Sequence, residues 1–260
     1  FWNSGSDCQE RDIIKEMFEA YLKSGAHIFT TLTYQTSFRT IVENTIVSNV
    51  EEYDQLLNKI VKFCRECVPS HTYLLGSIGT YAAYVGAEYH GDYGPDTSEI
   101  DFAEYFRPQL TNFNQNSNID MIAFETVPNK YELKALLSWD ESVIAKPFFI
   151  SLSMNNDSTL RDGTTMAEVG KLVRDRTVKN SNLILIGINC CSYEASLHIL
   201  TQLHAEIPET PLLVYCNGGG TYEHATQMWH VTPAADLPQW SELVPGYIAN
   251  GARIIGGCCR

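Results

Sequence analysis

The sequence predicts an α/β protein whose parallel sheet is wrapped by helices, and three observations carry that expectation. Amphipathic helical stretches alternate along the chain with short apolar runs rich in β-branched and aromatic residues. Those runs are apolar at nearly every position, the pattern of strands buried on both faces. Successive runs start roughly 28 to 47 residues apart, the spacing of strand–helix units that carry loop insertions. A closed barrel fits better than an open doubly wound sheet, because no Gly-rich phosphate fingerprint follows the first strand.

The elements follow in order. Ile13, Ile14, Met17, Phe18, Tyr21 and Leu22 fall at helical spacing, with Asp12, Lys15, Glu16, Glu19 and Lys23 on the opposite face. Gly25 is a natural stop, and residues 26–33 then read as a strand. Leu56, Leu57, Ile60, Val61 and Phe63 mark a second helix, and residues 73–78 a second strand. Further strands are expected at 119–125, 148–153, 183–189, 212–215 and 253–257. Helices are expected between them at 131–137, 165–174, 195–203 and 240–249. No low-complexity linker or change of composition divides the chain, so residues 1–260 read as one domain.

Composition excludes several function classes. The 260 residues are 44% hydrophobic and 19% charged, which is too apolar for a disordered chain. Eighteen Lys and Arg stand against thirty-one Asp and Glu, a formal charge of -13, whereas a nucleic-acid binder shows a basic surplus. No apolar run reaches the roughly 18 residues of a membrane-spanning helix. The chain opens at Phe1 with no cationic and apolar leader pattern, so the expected location is cytoplasmic. A chain of this length buries roughly 70–75% of its unfolded surface and needs no covalent staple. Its eight cysteines therefore call for another explanation.

In a parallel barrel, functional groups project from the C-terminal ends of the strands. Those ends carry Thr31, Thr33 and Tyr34; Ser77 and Gly79; Glu125; Ser153; Asn189 and Cys190; Asn217; and Cys258 and Cys259. Thiolates favour a soft, closed-shell ion such as Zn²⁺, and a catalytic zinc keeps one of four positions open. Cys190, Cys258 and Cys259 supply three sulfurs, Gly256 and Gly257 free the backbone to turn the pair inward, and a thiol substrate would make a fourth. Cys64-Arg65-Glu66-Cys67 has zinc-knuckle spacing but lies on a helix with no second such pair, so it reads as packing. Cys8 and Cys191 read the same way, and Cys216 is left open. His27 begins a strand at the wrong end of the barrel, while His224 and His230 are expected to face solvent. Glu125 closes an apolar strand, where a carboxylate can receive a substrate ammonium. Asp162-Gly163-Thr164-Thr165 reads equally as a capped turn and as a substrate loop. The stretch Asn217-Gly218-Gly219-Gly220 reads as a mobile loop at the mouth.

These residues also carry a family resemblance. Gly187-Ile188-Asn189-Cys190 and Gly256-Gly257-Cys258-Cys259, with Phe124-Glu125-Thr126-Val127-Pro128-Asn129, Ser77-Ile78-Gly79, Arg161-Asp162-Gly163-Thr164, Thr30-Thr31-Leu32-Thr33-Tyr34-Gln35 and Gly91-Asp92-Tyr93, resemble the homocysteine S-methyltransferases. The match runs through essentially the whole chain in family order. It implies a (β/α)8 TIM barrel, zinc on Cys190, Cys258 and Cys259, and Glu125 on the homocysteine amino group. It further implies a pocket lined by Thr31, Thr33, Ser77, Asn189 and Asn217, and methyl transfer from S-methylmethionine or S-adenosylmethionine to give methionine. Against the family pattern the chain is expected to lack the first strand and the last helix, as if cut at both ends. The usual Tyr-Pro-Asn-Ser-Gly-Glu loop is here Tyr215-Cys216-Asn217-Gly218-Gly219-Gly220, and Thr80 replaces a Pro. The rival readings are betaine as donor, a non-catalytic zinc barrel, and a thiol–disulfide oxidoreductase. No oligomeric state is expected from the sequence.

Overall fold

A computed structural model describes residues 8–223, 226, 228–230, 232–233 and 237–259. The side chain of Cys8, expected to pack, and the whole of His224 lie outside the described residues. Seven strands form one sheet: β1 (Ile28–Thr30), β2 (Tyr73–Gly79), β3 (Met121–Val127), β4 (Phe148–Ser153), β5 (Leu183–Asn189), β6 (Leu212–Cys216) and β9 (Ala252–Gly257). Each pairs in parallel with the next in chain order. A doubly wound sheet reverses its order at a switch point and this one never does, so it curls in one direction as a barrel wall. Among the described residues β1 and β9 do not pair, which leaves the wall open at that seam, as expected for a barrel lacking one strand. Between β6 and β9 lies a small antiparallel hairpin, β7 (Thr221–Glu223) with β8 (Met228–His230).

The described helices are α1 (Cys8–Lys23), α2 (Phe38–Asn44), α3 (Val50–Glu66), α4 (Tyr81–Val85), α5 (Phe102–Gln115), α6 (Lys130–Leu136), α7 (Met166–Arg174), α8 (Ser196–Glu206) and α9 (Trp240–Ala249). They cover the outer face of the sheet, where Ile78, Ile122, Phe124, Phe148, Ile150, Ile186, Ile188 and Val214 enter one continuous core. The intervening residues point the other way, and Leu75, Ala123, Phe149, Leu185 and Leu213 form a separate interior cluster. Two residues further along the same strands, that inward column reads Ser77, Glu125, Ser151, Gly187 and Tyr215. The interior therefore changes from apolar to polar towards the C-terminal ends. Gly187 is required by close approach: a Cβ there would lie 1.9 Å from the Leu213 carbonyl oxygen.

Several boundaries differ from the sequence reading. β1 spans three residues rather than the eight of 26–33. Beyond it Thr31 N still donates to Leu75 O at 2.8 Å, after which the Thr33 hydroxyl turns onto Ser77 O at 2.7 Å. Helix α5, with Pro108 inside it, was not anticipated; its Asp101 cap accepts from Glu104 N at 2.8 Å. Segment 162–165 forms a capped turn. Gly163 has φ 86°, Asp162 accepts from Thr164 N at 2.9 Å, and Thr165 and Glu168 form a capping box at the start of α7.

Candidate metal and substrate site

Strand parity decides which cysteines meet. Cys190 turns into the interior beyond β5, whereas its neighbour Cys191 packs, fully buried, into the outer core. Cys258 and Cys259 follow β9 two strands away. The three sulfurs of Cys190, Cys258 and Cys259 all lie within 4.8 Å of one another. Cys258 and Cys259 are 3.9 Å apart, and Cys190 and Cys258 are 2.7 Å apart. Cys216 belongs to the outer core near the Tyr247 hydroxyl, 3.9 Å away, and Cys64 packs with Phe18, Phe29 and Ile60. The zinc-knuckle spacing of Cys64 and Cys67 is thus a helix-packing feature.

The backbone that presents Cys190 is strained. Cys190 has φ 48° and Thr126, at a β-bulge in β3, has φ 69°. A left-handed conformation costs an ordinary residue roughly 1–2 kcal/mol. Asn189 ties the two together: its Oδ1 accepts from Thr126 N at 3.1 Å and its Nδ2 donates to Thr126 Oγ1 at 2.7 Å. The same Nδ2 lies 3.4 Å from Cys190 Sγ. Asn217 braces the other side, donating to Cys190 O at 3.3 Å and accepting from Cys259 N at 3.3 Å. Gly218 N donates to Cys259 O at 2.8 Å, so the first half of the expected mobile loop is pinned to the cysteine segment that follows β9. The glycines before the cysteine pair work differently from expectation. No positive φ is found at Gly256 or Gly257, and an added Cβ would meet nothing closer than 3.5 Å. Gly256 pairs with the inward Tyr215 and leaves the interior face there without a side chain, whereas Gly257 pairs with the outward Cys216.

Charge in the cluster is shared. Hydrogen bonding to Cys258 and Cys259, together with burial, pushes the Cys190 thiol well above its ordinary value. Bonds from Cys190 and Cys258 hold the Cys259 thiol well below its own. A phenol missed in the sequence, Tyr89, also bonds Cys259, and the Arg161 guanidinium lies 5.3 Å above its ring. Arg161 further donates to Cys190 O at 3.2 Å and to Ser153 Oγ at 3.1 Å.

Glu125 lies in the polar layer beside these thiols. Ser77 Oγ donates to its Oε1 at 2.5 Å and the Tyr215 hydroxyl is a second donor. Burial raises the Glu125 carboxyl above its ordinary value, and the two neutral donors offset only part of that rise. Ser151 and Tyr215 share a short hydrogen bond that orients the phenol. Neither residue was singled out from the sequence, although their inward parity with Glu125 was available there. Thr31 and Thr33 are buried and 2.6 Å apart, with Ser77 N donating to Thr31 Oγ1 at 3.0 Å. Their hydroxyls therefore seat Ser77. His230 is exposed, and His27 lies before β1, away from the mouth.

The donor set can be tested against a metal. A tetrahedral zinc with Zn–S near 2.3 Å separates its sulfurs by about 3.8 Å. Cys258 and Cys259 already match that edge, and Cys190 and Cys258 would separate by about 1 Å. Three protein sulfurs are the donor number of a catalytic zinc, which takes its fourth ligand from water or substrate.

The class defined by this fold and site is an α/β barrel with a candidate thiolate metal centre at the C-terminal ends of its strands. The model of the homocysteine S-methyltransferase family matches residues 1–260, and the chain belongs to that family. It is 49% and 47% identical to homocysteine S-methyltransferases 1 and 2 of Saccharomyces cerevisiae, over the whole of this chain and 80% of each relative. The Escherichia coli homocysteine S-methyltransferase is 28% identical over the whole chain and 84% of its own length. The crystal structure of the metallated form of the homocysteine methyltransferase MmuM from Escherichia coli superposes with a TM-score of 0.74. It is 26% identical over 97% of this chain and 82% of that one. The protein is therefore an enzyme of the methyltransferase class.

Proposed function

We propose that the protein transfers a methyl group from a sulfonium donor, S-methylmethionine or S-adenosylmethionine, to homocysteine, giving methionine. Residues 1–260 are taken as one catalytic domain, with zinc on Cys190, Cys258 and Cys259. The observation that carries this reading is the convergence of three thiols beside one buried carboxylate that has only neutral hydrogen-bond donors. Zinc, when bound, would keep a substrate thiol ionised near neutral pH, where a free thiol is mostly protonated.

Glu125 would receive the homocysteine ammonium, held in place by Ser77 and Tyr215, with Thr31 and Thr33 fixing Ser77. Asn189 and Asn217 hold the strand ends that carry the thiols, so in this reading they act on the centre and not on the substrate. The homocysteine sulfur attacks the donor methyl carbon in line, and the donor's carbon–sulfur bond breaks with its electron pair leaving on sulfur. A thiolate and a sulfonium become two neutral thioethers, so a site that aligns both reactants removes much of the entropic barrier. The described cysteines are free thiols, which fits the reducing cytoplasm. Among the described residues no helix is long and apolar enough to cross a membrane.

A methionine-formation assay tests the proposal. Homocysteine is supplied with S-methylmethionine, S-adenosylmethionine or betaine in turn, before and after zinc is stripped by a chelator. Methionine from the sulfonium donors, lost with the zinc and restored on its return, is the expected result. Turnover with betaine alone would overturn the donor assignment, and no turnover with any donor would overturn the activity.

A further inference from the structure

Glu132 is a fully buried carboxylic acid whose two oxygens take bonds from Tyr81 and Tyr93, outside the thiol cluster and the polar interior layer. It lies on α6, one helical turn after the strand that carries Glu125. One of its oxygens accepts from Tyr81 N at 2.6 Å, at the first residue of α4. The other accepts from the Tyr93 hydroxyl. Tyr81 and Tyr93 also pack ring to ring at 5.3 Å, beside Phe102 and Tyr105.

The same stretch grips the chain just before Tyr93. Asn129 Nδ2 donates to Gly91 O at 2.9 Å. Gly91 has φ 66°, and a Cβ there would lie 2.6 Å from Asp162 N and 2.7 Å from Pro128 O. Residues 81 and 93 thus bound an insertion between β2 and α5 whose two ends meet on one carboxyl group. Between those ends the insertion reaches the mouth: Ser153 Oγ donates to Glu88 O at 3.0 Å, and the Tyr89 phenol bonds Cys259 under the Arg161 guanidinium.

We propose that Glu132 is a positioning residue, fastening insertion 81–93 so that Tyr89 meets the Cys259 side of the cluster. A buried carboxylate with two donors is worth keeping only if both donors must be held, because an apolar residue of similar size would avoid its desolvation. Gln at this position replaces one acceptor oxygen by an NH2 donor, so one of the two accepted bonds is lost or, at the Tyr93 hydroxyl, reversed.

Two variants and two readouts test this, and only the kinetic readout rests on the methyl-transfer reading. Amide hydrogen exchange at pH 7.5 is compared among the wild type, Glu132→Gln and Tyr93→Phe, each carrying its metal. Amides of 81–93 are expected to exchange about tenfold faster or more in both variants, with α7 and α8 unchanged. In methyl transfer both variants should lose about tenfold in kcat/KM at unchanged metal content, and the double variant should lose no more than either single one. Tyr93→Phe deletes one oxygen from a partly buried ring and keeps its packing, so it keeps the test open should Glu132→Gln fold poorly. Wild-type exchange across 81–93 in Tyr93→Phe, or wild-type kcat/KM in a well-folded Glu132→Gln, would overturn the proposal. Should the wild type transfer no methyl group, the methyl-transfer reading fails and the exchange result still decides this one.

Discussion

Replacing Glu125 by Gln isolates the proposed amine contact. Gln keeps the size of the side chain and one acceptor oxygen, so the bond from Ser77 at 2.5 Å can survive while the charge is lost. Burial already raises this carboxyl, and among the described residues no Lys, Arg or His forms an ion pair with it. The cation it lacks is then the one the substrate brings. A hydrogen bond to a charged partner is worth about 1.5–3 kcal/mol, so its loss should raise the KM for homocysteine about 10- to 150-fold. Removing an unpaired buried charge should leave the melting temperature unchanged or higher, and zinc content should stay the same. Initial rates are measured with homocysteine and with 4-mercaptobutyrate, which has the thiol but no amine. The variant should be impaired on homocysteine and match the wild type on the amine-free thiol. Equal impairment on both would refute the reasoning, because the carboxylate would then serve the thiol or the fold.

Other perturbations follow from particular contacts. Asn217→Ala removes two bonds of 3.3 Å that join the Cys190 and Cys259 segments, so zinc affinity should fall about 10- to 100-fold in a chelator competition, with activity restored by excess zinc. Gly187→Ala places a Cβ 1.9 Å from a backbone oxygen of β6, so urea denaturation should show a loss of about 3 kcal/mol or a failure to fold. Glu132 sets a pH dependence of stability. Burial raises its folded-state value to about 7 from 4.5, so the folded protein holds this proton where the unfolded chain has released it. Its contribution is therefore fullest below about pH 4.5 and is lost as pH rises to about 7, a change of about 3 kcal/mol. Glu132→Gln lacks it, so the stability gap between variant and wild type should move by about that amount in favour of the variant from pH 4.5 to 7.5. A constant gap in denaturant titrations would count against a buried titrating carboxyl.

Much of the site was legible because strand parity and barrel geometry are simple rules. An apolar run ending in Asn189-Cys190 and another ending before Cys258-Cys259 must deliver their ends to the same mouth. The inward register of Glu125 follows from Ala123 by alternation, and the same alternation would have marked Ser151 and Tyr215. Thr31 and Thr33 show the limit of that rule: their place at a strand end was readable, but their hydroxyls are taken up by the β2 backbone and by each other. Helix α5 was obscured by Pro108, although Phe102, Tyr105, Phe106, Leu110 and Phe113 fall at helical spacing behind Asp101. Tyr89 and Glu132 were not readable. Each is placed by an insertion whose ends meet through side-chain bonds, and no periodicity records which two residues a loop brings together.

The central claim is that these three thiols hold one zinc and leave it open to the thiol of homocysteine. Zinc-edge X-ray absorption of the purified protein counts the sulfur neighbours of the metal directly. The account predicts three sulfur scatterers near 2.3 Å in the free enzyme and four after homocysteine is added. A protein that binds no zinc, or a sulfur count unchanged by homocysteine, would contradict it.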